Sequence, residues 1–162
     1  MRDAARETLD GAVAGVVATV AMSAALAVAA KAGQLREPPP RAIVRALLPG
    51  LSTEAVNAGA LIAHLGYGAG AGAVHRSLLR GPGVAASVAS ALAIWAGAYE
   101  GWVPLIRALP PAHLDDRRRQ TSMVVGHVVY GATLGLLAVR ARRRDRAALR
   151  RATATAAHAA TE

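Results

Sequence analysis

Residues 121–139 read TSMVVGHVVYGATLGLLAV and contain no lysine, arginine, aspartate or glutamate. Eight of these residues are Val or Leu. A helix of this length rises roughly 30 Å, which matches the hydrocarbon core of a bilayer. Arginines flank the stretch at 117–119 and again from 140 onward. A soluble helix would carry charges on its solvent face, so this stretch predicts a transmembrane helix.

Three further windows, residues 11–30, 55–74 and 81–99, are equally free of charge. The windows at 55–74 and 81–99 contain more Ala and Gly than Val, Leu and Ile, so we expect them to insert with help from neighbouring helices. The sequence therefore predicts an all-α integral membrane protein with four transmembrane helices. Residues 1–10 precede the first helix, and residues 140–162 form a basic tail.

Composition agrees with this segregation of apolar and charged residues. The 162 residues are 54% hydrophobic and 3% aromatic, yet the net charge is +9. The side that would carry both termini holds more Arg and Lys than the opposite side, which predicts cytoplasmic termini. The chain has no cysteine, which excludes disulfides, thiolate-bound clusters and a cysteine nucleophile.

A repeated motif relates the two halves of the chain. The segment from His64 to Gly72 and the segment from His127 to Gly135 share the pattern H-x-x-Y-G-A-x-x-G. The repeat predicts two parallel helical hairpins, residues 11–79 and 81–139, related by an axis along the membrane normal. Both histidines then lie near the middle of the membrane, at nearly the same depth.

The repeated residues are the candidate functional site. In each copy the His and the Tyr lie three positions apart and share a helix face, as His64 does with Tyr67 and His127 with Tyr130. The glycines beside that face predict close helix packing; they are Gly68, Gly72, Gly131 and Gly135.

Three interpretations of the His and Tyr residues stay open. In the first, these side chains only form hydrogen bonds within the bundle. In the second, they line a polar path for protons or a small solute, with Glu37 and Glu100 at its outer mouth. In the third, His64 and His127 ligate one haem b from opposite sides.

The segments outside the windows give further expectations. Arg41–Leu48 has the pattern of a short amphipathic helix at the membrane interface. Asp115 and Asp116 are typical of a solvated loop with local ion pairs, and His75 is expected at the surface. The arginines of 140–151 predict contact with anionic lipids, followed by a frayed end. Nothing indicates nucleic-acid binding.

The second half of the chain resembles the closing segment of the YagU-like bacterial inner-membrane proteins. The resemblance rests on Tyr99-Glu-Gly-Trp102-Val-Pro104, then Pro110-Pro111, Asp115, Gly126-His127, Tyr130 and the Arg-rich exit. It implies a multi-pass protein of the bacterial inner (plasma) membrane and implies no activity.

The sequence thus predicts a non-enzymatic membrane protein, since it contains no catalytic motif. The leading interpretation is a small transport or proton-path component, or an accessory membrane subunit. The alternative is a membrane electron carrier that binds haem through two histidines. Four short helices enclose little volume, which favours a homodimer or a larger complex.

Overall fold

A computed structural model describes residues 2–35, 37–79 and 83–159, and this part of the chain is all-α. The helices are α1 (Arg2–Lys31), α2 (Pro39–Leu47), α3 (Thr53–Leu78), α4 (Val84–Glu100), α5 (Trp102–Leu105) and α6 (Arg117–Ala159). A single 3-10 turn, Ala112–Leu114, precedes α6. Arg36, Arg80 and residues 81–82 of the predicted third span lie outside the described residues.

The predicted spans 11–30, 55–74 and 121–139 fall within α1, α3 and α6, and residues 84–99 of the third span fall within α4. Among the described residues, two helices are long and apolar enough to cross a membrane. These two segments are Ala5–Lys31 and Arg117–Ala156. Helix α4 has 17 residues and rises about 25 Å, and α3 is rich in Gly and Ala. The structure therefore supports two of the four predicted spans by length and composition.

The predicted frayed tail is wrong within the described residues. Helix α6 continues for 43 residues, well beyond the apolar window that ends at Val139. The added segment is built largely from Ala and Arg, which are strong helix formers, and it holds no Gly or Pro to stop the helix.

The helices pair as two antiparallel hairpins. Helix α1 packs against α3, α4 packs against α6, and the hairpins join mainly where α1 lies against α6. We call the end that carries residues 32–52 and 101–116 the loop end. The opposite end, where α1 begins and α3 ends, is the terminus end. Helices α3 and α4 contact each other little.

Glycines set the spacing within both hairpins. A Cβ atom added to Gly72 would lie 2.7 Å from the Cα of Gly15 on α1, and one added to Gly68 would overlap the Thr19 hydroxyl. In the second hairpin, a Cβ on Gly131 would lie 2.7 Å from the Ser87 carbonyl oxygen. All four glycines of the repeated motif, including Gly135, thus lie in direct contact with a facing helix.

The expectation that His75 lies at the surface is wrong. This side chain is buried at the terminus end, where its Nδ1 and Nε2 atoms each lie 3.1 Å from a serine hydroxyl, those of Ser90 and Ser87. Burial lowers the pKa of His75, because it disfavours the charged imidazolium. A neutral His75 therefore links α3 to α4 at the end where these helices come closest.

The loop end is closed by short elements. The predicted amphipathic helix forms as α2, and its Val44 packs with Val56 and Ala60 of α3. The Asp115 side chain is only 5% exposed and pairs with Arg119 at 3.1 Å, so it is not the solvated group that the sequence predicts. Asp116 caps α6 by accepting the Arg118 backbone N–H at 2.8 Å.

The glycine contacts yield a prediction with a control on the same helix. We expect Gly72→Ala to lower the free energy of unfolding by about 1–3 kcal/mol, because the new methyl group overlaps α1. Nothing lies within 4 Å of a Cβ built on Gly70, so Gly70→Ala should raise it by roughly 0.5–1 kcal/mol. Reversible unfolding in mixed micelles measures both values. Equal shifts for the two variants would contradict the proposed packing.

Candidate functional site

A cavity of about 310 Å³ lies at the loop end, between α3 and α4. We call it the central cavity. Helices α1 and α6 form its floor through Met22 and Met123, and α2 and α5 close its end through Ile43 and Trp102. Because α3 and α4 contact each other little, the cavity faces outward between them.

Aromatic side chains form much of the wall of the central cavity. The chain has only two Trp and three Tyr, and four of these five residues line the cavity; they are Tyr67, Trp95, Tyr99 and Trp102. Trp95 stacks on Tyr99 with ring centroids 5.8 Å apart, and Tyr67 lies 6.4 Å from Trp102. The scarcest bulky residues of the sequence are thus concentrated at one place.

The repeated His and Tyr residues meet beside this cavity. His64, Tyr67 and His127 line it, and all four residues of the pair of motifs, including Tyr130, line an adjoining cavity of about 40 Å³. The smaller cavity has room for about three water molecules. The structure therefore brings together residues that are 63 positions apart in the sequence.

Glu37 and Glu100 lie elsewhere. Glu37 pairs with Arg45 at 3.3 Å, and Glu100 accepts a bond from the ring of His113 at 2.8 Å. These four side chains are well exposed, and neither glutamate lines the central cavity or the smaller one.

The two copies of the motif make different hydrogen bonds. The Tyr130 hydroxyl is buried and donates to the backbone oxygen of Gly68 at 2.8 Å, which links α6 to α3. The hydroxyl of Tyr67 makes no hydrogen bond within the described part of the chain, and the Tyr67 side chain is half exposed. One tyrosine is thus structural, whereas its counterpart is free to bind.

The histidines also differ. The Nδ1 atom of His127 lies 2.7 Å from the Met123 carbonyl oxygen, which can only accept, so Nδ1 carries the proton. The Nε2 atom of His127 is then left as an acceptor, and its ring lies 6.0 Å from that of Trp95. His64 makes no hydrogen bond with any described residue.

Trp95 adds a polar atom that sequence reasoning missed. Its indole Nε1 is buried and has no hydrogen-bond partner among the described residues. A buried donor without a partner costs about 1–3 kcal/mol. Neither Trp95 nor Trp102 is among the candidate site residues that the sequence predicts, and the signal that points to them is the rarity of aromatic residues.

A polar cluster supports the wall of the cavity. The Tyr99 hydroxyl donates to the Asp115 carboxylate, which Arg119 also holds. The Gln120 amide donates to the backbone oxygen of Asp115 at 2.8 Å. Tyr99 is therefore fixed against the loop, and its ring is held against Trp95. Among the described residues no group of three His, Asp or Glu is placed to hold a metal ion.

No protein-family model, no curated protein and no solved structure matches this chain.

The two tyrosines of the motif offer a matched pair of substitutions. We expect Tyr130→Phe to lower the free energy of unfolding by about 1 kcal/mol, because it removes the hydrogen bond to Gly68. Tyr67→Phe, which makes the same change in the other copy, should leave stability unaltered. Unfolding in mixed micelles measures the difference, and a larger loss in Tyr67→Phe would refute this assignment of roles.

Proposed function

We propose that this chain is a four-span membrane protein whose central cavity binds a lipophilic small molecule with a planar ring. In this proposal both termini face the cytoplasm of a bacterium, and the role is one of binding or carriage without catalysis. The observation that carries it is a cavity with aromatic and apolar walls, whose lining residues His64 and Tyr67 have no hydrogen-bond partner in the described part of the chain.

Exposed apolar side chains support the insertion of α3 as well as α1. On α3, Leu61 and Ile62 are 61% and 72% exposed, and on α1 Val20 and Val28 are 57% and 68% exposed. A water-soluble bundle would leave this large apolar surface in contact with solvent. A surrounding bilayer removes the cost of exposing this apolar surface to water. Helix α3 by itself is too rich in Gly and Ala to be a strongly hydrophobic membrane span.

The number of spans can be tested with single cysteines, since the chain has none of its own. Ser77 and Leu114 are exposed at opposite ends of the bundle. With four spans, a membrane-impermeant maleimide added to intact cells should label Leu114→Cys, and it should label Ser77→Cys only after permeabilisation.

If α1 and α6 alone cross the membrane, both cysteines lie on the outer side. Labelling of Ser77→Cys and Leu114→Cys to equal extent in intact cells would then contradict the four-span proposal. Ala152→Cys, on the exposed tail of α6, serves as the inner-side control.

The polar groups of the central cavity favour a ligand with hydrogen-bonding atoms on a flat ring. Tyr67 and His127 line the cavity, and the Tyr67 hydroxyl and the His127 Nε2 atom have no hydrogen-bond partner among the described residues. The surrounding rings of Tyr99 and Trp102 suit stacking on a planar group. Few polar groups in a mostly apolar cavity of several hundred Å³ are typical of small-molecule sites.

The position of the cavity favours a ligand that enters from the lipid. Its open side lies between α3 and α4, and Tyr67 and Trp102 are both partly exposed there. A lipophilic molecule could keep a hydrocarbon chain in the bilayer while its ring enters the cavity. Glu37 and Glu100 lie outside the cavity, so this proposal uses neither residue and differs from the polar path that the sequence suggests.

A haem-binding carrier is a second candidate, favoured by the placement of His64 and His127 on one cavity. The Nδ1–H bond of His127 leaves its Nε2 atom available as a ligand, which is the usual arrangement of a metal-bound histidine. The visible spectrum of protein purified from cells grown with excess haem precursor distinguishes the candidates. A haem band that disappears in His127→Ala would favour the carrier over the ring-binding proposal.

Ligand binding can be followed through the two native tryptophans, which both line the cavity. We expect menadione, a flat lipophilic naphthoquinone, to quench their fluorescence in a saturable manner in detergent micelles. Ala98 lines the cavity, so the larger side chain of Ala98→Leu should occupy part of the space that menadione needs. Because overpacking costs about 1–3 kcal/mol, we expect menadione to bind about tenfold more weakly or worse.

Ala96→Leu is the matched control, because Ala96 is exposed on the same helix and lies outside the cavity lining. This variant should bind menadione like the unaltered protein. Quenching that is linear in menadione concentration, or equal in both leucine variants, would show partition into the micelle and would refute the proposed site.

A further inference from the structure

A second groove, of about 390 Å³, lies at the terminus end between α1, α3 and α6. It shares no lining residue with the central cavity or the smaller cavity beside it. We call it the terminus groove. Its chemistry is separate from the proposed ring-binding function, and it depends only on the bundle lying in a membrane.

The terminus groove is polarised along its length. Val17 and Leu134 line one end, and Arg144 lines the other. On α6, the ten residues from Leu134 to Arg144 span about 15 Å. The groove therefore extends from the apolar part of the predicted fourth span, which ends at Val139, to the charged residues that follow it.

Three arginines from two helices line the charged end of the groove. Arg76 comes from α3, and Arg140 and Arg144 lie four residues apart on α6. None of the three forms an ion pair with a carboxylate in the part of the chain that the structure describes. Asp10 is the one acidic residue among the lining residues, so the groove carries an excess of positive charge.

Other groups around the groove do not alter this charge. His75 lines the groove, but its ring nitrogens contact Ser87 and Ser90, and burial lowers its pKa. Like charges at positions i and i+4 of a helix repel each other, so Arg140 and Arg144 leave a cost that a bound anion would remove. The fork of an arginine matches the oxygens of a phosphate.

We propose that the terminus groove binds one anionic phospholipid. Its phosphate lies among Arg76, Arg140 and Arg144, and an acyl chain lies along Val13, Val17 and Leu137. An acyl chain suits this wall because Val13 and Val17 are 58% and 46% exposed and present apolar surface that a lipid chain would cover. The close approach at Gly11, where an added Cβ would lie 2.7 Å from the Arg76 Cβ, holds the stem of Arg76 in place.

A discrete lipid site differs from a general electrostatic attraction between a basic tail and a negative membrane, because it uses only some of the arginines. Seven arginines lie between 140 and 151, but only Arg140 and Arg144 line the groove. Arg143 and Arg146 are exposed on the same helix and lie outside the lining. Under non-specific attraction, the two pairs of arginines would contribute equally to lipid binding. With a discrete site, the pair that lines the groove would contribute more.

The test is native mass spectrometry of the full chain released from micelles that contain phosphatidylglycerol or phosphatidylcholine. One phosphatidylglycerol should remain bound, and phosphatidylcholine should not. Each arginine near an anionic lipid contributes enough to change affinity about fivefold. The double variant Arg76→Gln/Arg140→Gln should therefore bind phosphatidylglycerol about 25-fold more weakly.

The double variant Arg143→Gln/Arg146→Gln has the same net charge as the first double variant. It should nevertheless bind phosphatidylglycerol like the unaltered protein. An equal loss in both double variants would overturn the proposal in favour of general electrostatic attraction. Displacement of the bound lipid by millimolar inorganic phosphate would overturn it in favour of a free-anion site. If the first double variant fails to fold, the single variant Arg144→Gln carries the same test with an expected fivefold loss.

Discussion

The close approach of helices at glycine is the constraint on which the rest of this structure depends. Gly15 and Gly72 bring α1 against α3, and Gly131 and Gly135 bring α4 against α6. These contacts lie toward the terminus end, where small residues such as Thr19 and Ser87 are fully buried. Backbone packing of this kind depends on dispersion contacts, which act equally well in water and in lipid.

The opposite end of the bundle is filled by large side chains. Met22, Met123, Trp95 and Tyr99 lie toward the loop end, and helices that bear them cannot approach as closely. The central cavity lies among these large side chains, whereas the His75 link joins α3 to α4 at the terminus end.

Much of the architecture could be predicted from the sequence, because it depends on local pattern. Uncharged windows located the long helices, and the repeat identified His64 and His127 as matching residues at nearly the same depth. Two findings needed the tertiary structure. Which of Tyr67 and Tyr130 forms a hydrogen bond depends on which one lies against a neighbouring helix. The burial of His75 depends on serines of another helix. The charge pattern also could not show that α6 continues past Val139, since helix propensity decides that.

The setting of the central cavity determines which interactions can select a ligand. In the proposed membrane setting, a lipophilic molecule is already in an apolar environment, so moving its ring from lipid into the cavity gains little from the hydrophobic effect. Selection then depends on stacking against Trp95 and Trp102 and on hydrogen bonds that lipid tails cannot offer. A hydrogen bond to the Tyr67 hydroxyl or to the His127 Nε2 atom would therefore be of more consequence in the proposed membrane setting than in a water-filled cleft, where water competes for every polar group.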